Sequence, residues 1–136
     1  MRRAFVAALA IGVSALAASP ALAGSPHFVA VEAERAGSTL TVNGKEAGLG
    51  NEEQVHIVVS ATAECINGGG NHPKAVNKES VSSAGDFPVQ NGKALFSLSV
   101  TASFQPPCSP PMTVDFTNVV VADTTNGVSA ILTGSF

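Results

Sequence analysis

The sequence predicts an all-β fold, a seven-stranded antiparallel immunoglobulin-like sandwich after a cleaved signal peptide. Three observations predict it. Beyond residue 23 the apolar residues recur with period two instead of 3.6, turn-forming residues separate these runs, and the chain holds only two cysteines behind a start that reads as an export signal.

Met1, Arg2 and Arg3 form a short cationic start, Ala4 to Leu16 an apolar run, and Ser19-Pro20-Ala21-Leu22-Ala23 a small-residue exit ending in Ala-x-Ala. Residues 1–23 therefore read as a signal peptide and residues 24–136 as a single β-sandwich domain. The apolar run is too short to span a bilayer, and no later stretch reaches the roughly 18 to 20 apolar residues that a spanning helix requires. Leu22-Ala23-Gly24 begins like a lipoprotein cleavage box, but Ser25 stands where an acylated cysteine would be needed, so no membrane anchor is expected. The expected location is secreted and extracellular.

The first alternating run after the leader is Phe28 to Arg35, with Val29, Val31 and Ala33 expected inward, followed by Thr39 to Val42. The pattern is clearest from Val55, where Val55, Ile57, Val59, Ala61, Ala63 and Cys65 share one face and His56, Ser60, Thr62 and Glu64 the other. Lys78 to Ala84 follows. From Ala94, the residues Ala94, Phe96, Leu98, Val100, Ala102 and Phe104 point inward between outward Ser and Thr. Thr113 to Ala122 and Val128 to Thr133 complete the set. Asn43-Gly44, Asn91-Gly92 and Asn126-Gly127 offer positive φ for chain reversals between the runs. No strand carries a Trp, and the cysteines fall at strand ends, so the immunoglobulin likeness is one of architecture.

With the leader removed, Arg35, Lys45, Lys74, Lys78 and Lys93 face ten carboxylates, which leaves an acidic domain and disfavours a nucleic-acid partner. The chain has no Trp or Tyr, the usual stacking platforms for bases and sugars. Cys65 and Cys108 are expected to pair in an oxidising compartment, closing roughly 44 residues and adding about 4 kcal/mol on the chain-entropy model. Since the strands run in alternating directions, the bond also brings the loops at 66–78 and 105–112 to one end of the sandwich.

Candidate binding residues lie in the first of these loops, Asn67, Gly69, Asn71, His72, Lys74 and Lys78, where glycine N–H groups, amides and cations together suit a carboxylate, phosphate or polyol. Gln105-Pro106-Pro107-Cys108-Ser109-Pro110-Pro111-Met112 is expected to be stiff and extended in the polyproline II manner, and to suit an aromatic groove on a partner. Asp123-Thr124-Thr125-Asn126-Gly127 reads as a turn built on Asx hydrogen bonds, and Glu46, Glu52 and Glu53 as a solvated acidic patch. His27, His56 and His72 lack metal-ligand spacing. No nucleophile elbow, zinc-protease motif or phosphate loop is present, so no catalytic residue, metal or cofactor is expected.

The segments Cys65-Ile66-Asn67-Gly68-Gly69-Gly70-Asn71-His72-Pro73, Phe87-Pro88-Val89-Gln90-Asn91-Gly92-Lys93 and Cys108-Ser109-Pro110-Pro111-Met112 resemble an uncharacterised family of small secreted actinobacterial β-sandwich proteins. The resemblance spans most of the chain after the leader and implies no catalytic or binding residues. In size, acidity and sandwich form the chain also resembles the enediyne-binding apoproteins, which carry two disulfides placed differently. The leading functional expectation is a secreted, non-enzymatic binding or interaction module using loops 66–78 and 105–112, against cell-envelope polymer or another secreted protein. The alternatives are a carrier with an apolar cleft in the sandwich and, third, a secreted enzyme.

Overall fold

The computed structural model describes residues 25–67 and 77–136. The expected signal peptide and most of the glycine-rich loop lie outside them. The described residues form seven strands: β1 His27–Ala36, β2 Thr39–Ala47, β3 Gln54–Ile66, β4 Lys78–Pro88, β5 Ala94–Thr101, β6 Thr113–Asp123 and β7 Val128–Leu132. They build two sheets, ordered β1-β2-β5 and β4-β3-β6-β7, and every pairing between them is antiparallel. No helix among the described residues is long and apolar enough to cross a membrane.

Period-two patterning makes the core. On β3, Val55, Ile57, Val59, Ala61, Ala63 and Cys65 are all buried, and on β5 Ala94, Phe96 and Val100 meet them from the facing sheet. Phe116, Val119 and Val121 of β6 are fully buried beside them. Each such side chain stabilises the fold by about 1.5 to 3 kcal/mol through removal from water. Phe96 receives Phe28 and Phe87 edge-on, at centroid distances of 5.7 and 6.1 Å, which fills the space between the sheets with aromatic rings.

Two bulges correct the simple alternation. In β1 the pairing shifts between Val29 and Glu32, with Ala30 at φ 53°, so Phe28 takes the inward place expected for Val29 while Val31 and Ala33 keep theirs. In β6 the pairing with β3 shifts between Ser60 and Thr62, and Asn118 adopts φ 51°. That extra residue lets Val114 and Phe116 share a face with Val119 and Val121 despite the odd spacing. Asn43-Gly44 does not turn the chain: β2 runs straight through it, because a side chain at Gly44 would meet Phe96 Cζ at 2.6 Å and the glycine is there to admit that ring. The reversal at Asn91-Gly92 is as expected, with φ of 53° and 75° closed by a Gln90–Lys93 bridge.

Strand direction gives the sandwich two poles. The Cys65–Cys108 disulfide staples the end that carries the β1–β2 turn and the Gln105–Met112 loop. The opposite pole carries the β2–β3 loop, the β4–β5 connection and the β6–β7 turn.

Candidate functional site

At the stapled pole, Cys65 is the last inward residue of β3 and only 5% exposed. Its partner Cys108 sits midway along the connection from β5 to β6, and Met112 Sδ packs 3.7 Å from Cys65 Sγ. The base of that connection is tied down before the prolines begin. Ala102 N–H donates to Ser38 O at 2.8 Å, Ser103 N–H donates to the Glu79 carboxylate, and Phe104 packs onto the core. Beyond this base, Gln105, Pro106, Pro107, Ser109, Pro110 and Pro111 are exposed on both sides of the half-buried Cys108. The segment is not the continuous polyproline II run expected: it turns, with Met112 N–H donating to Ser109 O at 2.9 Å, and the Gln105–Pro106 and Pro110–Pro111 bonds are cis.

Of the candidate binding residues, Asn67 is exposed immediately after β3, and Lys78 opens β4. Lys78 Nζ lies 3.7 Å from Glu64 Oε1, its partner across the β3–β4 ladder, so its charge is already half engaged at the edge of the pole. Gly69, Asn71, His72 and Lys74 lie outside the described residues. The disulfide brings Asn67 and Cys108 to the same end, with Lys78 at the start of the neighbouring strand.

The opposite pole holds a buried acidic group that contradicts the expected solvated patch. Glu46 is 0% exposed and Asp123 only 1%. The sequence signal was the alternation itself, since Leu40, Val42, Gly44 and Glu46 are on one face of β2, and Val119, Val121 and Asp123 on one face of β6. Asp123 Oδ1 accepts hydrogen bonds from Thr125 N–H at 2.8 Å and Asn126 N–H at 3.2 Å, the expected Asx turn. Asn126 Nδ2 donates to Asp123 Oδ2 at 2.6 Å and to Glu52 Oε2 at 3.1 Å. Burial first, then the Asp123 carboxyl and the Glu52 charge, push Glu46 up to about 8. Burial also acts to raise Asp123, but hydrogen bonds from Glu46, the Asn126 side chain and the turn amides outweigh it and hold Asp123 below the ordinary range.

His56 and Asp86 form a pair that the sequence alone did not mark, Nδ1 to Oδ1 at 2.7 Å, because adjacent strands place them directly opposite each other. The arrangement orients an imidazole but supplies no nucleophile. The neighbouring hydroxyls are committed to His56's backbone: Thr125 Oγ1 accepts from His56 N–H at 3.0 Å, and Thr124 Oγ1 donates to His56 O. The pair stands on the exposed face of the sheet. His27 is elsewhere, with Nδ1 2.7 Å from Ser25 O. Among the described residues, no group of three or more His, Cys, Asp or Glu side chains is arranged to hold a metal ion.

The concavities of the described surface are open and of mixed polarity, such as a hollow of about 690 Å³ bordered by Gly50, Glu52, Asn91 and Lys93 at the pole opposite the disulfide. Between the sheets, the Phe28, Phe87 and Phe96 rings meet edge-on. Comparison of the chain with protein-family models, characterised proteins and solved structures finds no match.

Proposed function

We propose that the protein is a secreted, non-enzymatic binding module on an immunoglobulin-like sandwich, released from a signal peptide ending at Ala23 and engaging cell-envelope polymer or another secreted protein through its disulfide pole. The strand order supports the architecture. Constant-type immunoglobulin domains place strands one, two, five and four in one sheet and three, six and seven in the other. Here only the fourth strand differs, pairing with the third.

The observation that carries the binding role is the Gln105–Met112 loop. Its exposed residues flank a cysteine bonded to the buried end of β3, so the loop is held outward on a rigid base. A surface ordered before its partner arrives loses less entropy on binding. Prolines restrict it further, and the nearby Lys78 and Asn67 add polar contacts at its border. The commitment of the Thr124 and Thr125 hydroxyls to the His56 backbone and the ring-filled interior favour this role over catalysis or carriage of an apolar ligand.

A photo-cross-linking residue placed at Ser109, with a second version at Gly127 of the opposite pole, tests the reading on protein exported by living cells. Covalent capture of envelope polymer or a secreted protein from position 109 and none from 127 is expected. Capture from 127 alone would overturn it.

A further inference from the structure

We propose that the pole opposite the disulfide is closed by one proton, carried by Glu46 and shared with Asp123, so that this end of the sandwich loosens reversibly in alkaline medium while the stapled end stays shut. The two carboxyls come from facing sheets. Glu46 is next to last in β2 and Asp123 last in β6, and alternation points both into the space between the sheets. A hydrogen bond from a protonated Glu46 to Asp123 would therefore tie one sheet to the other at the end that lacks the disulfide.

The donor inventory places the proton. Asp123 has three N–H donors, from Thr125 N, Asn126 N and Asn126 Nδ2. Neither oxygen of Glu46 has an N–H or hydroxyl donor, although both are buried. Its ladder neighbours, Phe28 on β1 and Ala94 on β5, are apolar. The charged groups acting on it are Asp123 from β6 and Glu52 from the β2–β3 loop, both negative, and the β6–β7 turn contributes only the Asn126 amide. An ionised Glu46 would thus be buried, undonated and repelled from two sides, which is a costly state. The neutral acid resolves all three difficulties by donating its one O–H to Asp123, whose charge the turn amides already stabilise. Burial and the two neighbouring carboxylates keep the proton on Glu46 to about pH 8.

Loss of the proton leaves like charges in contact between the sheets. Asn126 links Asp123 to Glu52, so the repulsion reaches both the β6–β7 turn and the β2–β3 loop, and Glu52 borders the 690 Å³ hollow. The disulfide pole has no titrating group in its bond and is expected not to respond.

Carbon-13 NMR of the Glu46 carboxyl from pH 3 to 10 tests this on the unaltered protein. The expected result is a midpoint near 8, with the amide signals of Thr125, Asn126 and Gly127 moving at the same midpoint and those of Ala102 and Ser103 showing no movement there. In Glu46→Gln the side-chain amide donates to Asp123 at every pH, and the alkaline movement of the turn signals is lost. A Glu46 midpoint in the ordinary carboxylate range overturns the proposal, as does an unchanged alkaline transition in the Gln variant. Binding of added calcium chloride at pH 7 with Glu46 ionised would also overturn it, by putting a cation in the proton's place.

Discussion

Cys108→Ala isolates the contribution of the staple better than a change at Cys65. Cys65 is 5% exposed and lines the core, so truncating it would mix a cavity cost with loss of the cross-link. Cys108 is half-buried in a connection, and Ala102, Ser103 and Phe104 remain anchored whether or not the bond is present. The bond spans a sequence separation of 43, for which the chain-entropy relation gives about 4 kcal/mol. That is a large part of the roughly 5 to 15 kcal/mol that holds a typical domain together. Urea unfolding followed by far-ultraviolet circular dichroism suits a chain without Trp or Tyr, run under reducing conditions so that the freed Cys65 cannot cross-link two copies. The variant and the reduced wild type should both lose about 4 kcal/mol relative to the oxidised protein. A loss below about 1 kcal/mol in both would refute the view that this cross-link restrains the unfolded chain.

Three further outcomes follow from packing and charge. Leu98→Ala, on the inward face of β5, should cost about 2 to 3 kcal/mol, while Ser99→Ala, whose hydroxyl meets Thr41 at the surface, should stay within about 0.5; equal urea midpoints would contradict the register. Gly44→Ala drives a methyl to 2.6 Å from Phe96 Cζ and 3.0 Å from Val31 Cγ2, and Phe96 is held by two other rings, so about 1 to 3 kcal/mol should be lost in the same assay. Glu46 releases its proton near 4.5 when unfolded and about 8 when folded, so the fold binds one more proton in between; its contribution is complete below 4.5 and declines as pH rises to 8, and Glu46→Gln should remove that decline from a melting-temperature profile.

The sequence displayed most of the sheet content because alternation on β3 and β5 is uninterrupted for the whole length of each strand. It misled where a bulge reset the phase. A period-two reading of β1 requires Val29 inward, and only the backbone conformation at Ala30 reveals that Phe28 takes the place. Asn43-Gly44 looks like a hairpin when read locally, yet the glycine answers to a ring that arrives from residue 96. Distance in sequence also hid the buried Glu46 and Asp123 carboxyls: the parity of Glu46 was visible, but its approach to Asp123 depends on how two sheets stack. The His56–Asp86 contact likewise needed the β3–β4 register. The disulfide was legible because cysteine count and strand parity constrain it together. The proposed binding surface was legible only as composition, in the prolines of one loop and the glycines and amides of the other.

Amide hydrogen exchange of the disulfide-bonded protein, alone and with isolated envelope from its source cells, tests the proposed binding role most directly. Slowed exchange at Ser103–Met112, Glu64–Asn67 and Lys78–Ser80, with the Gly48–Glu53 loop and Thr124–Gly127 turn unchanged, is the predicted result. Slowing confined to the Gly48–Glu53 loop and the Thr124–Gly127 turn would contradict it and move the interaction to the opposite pole.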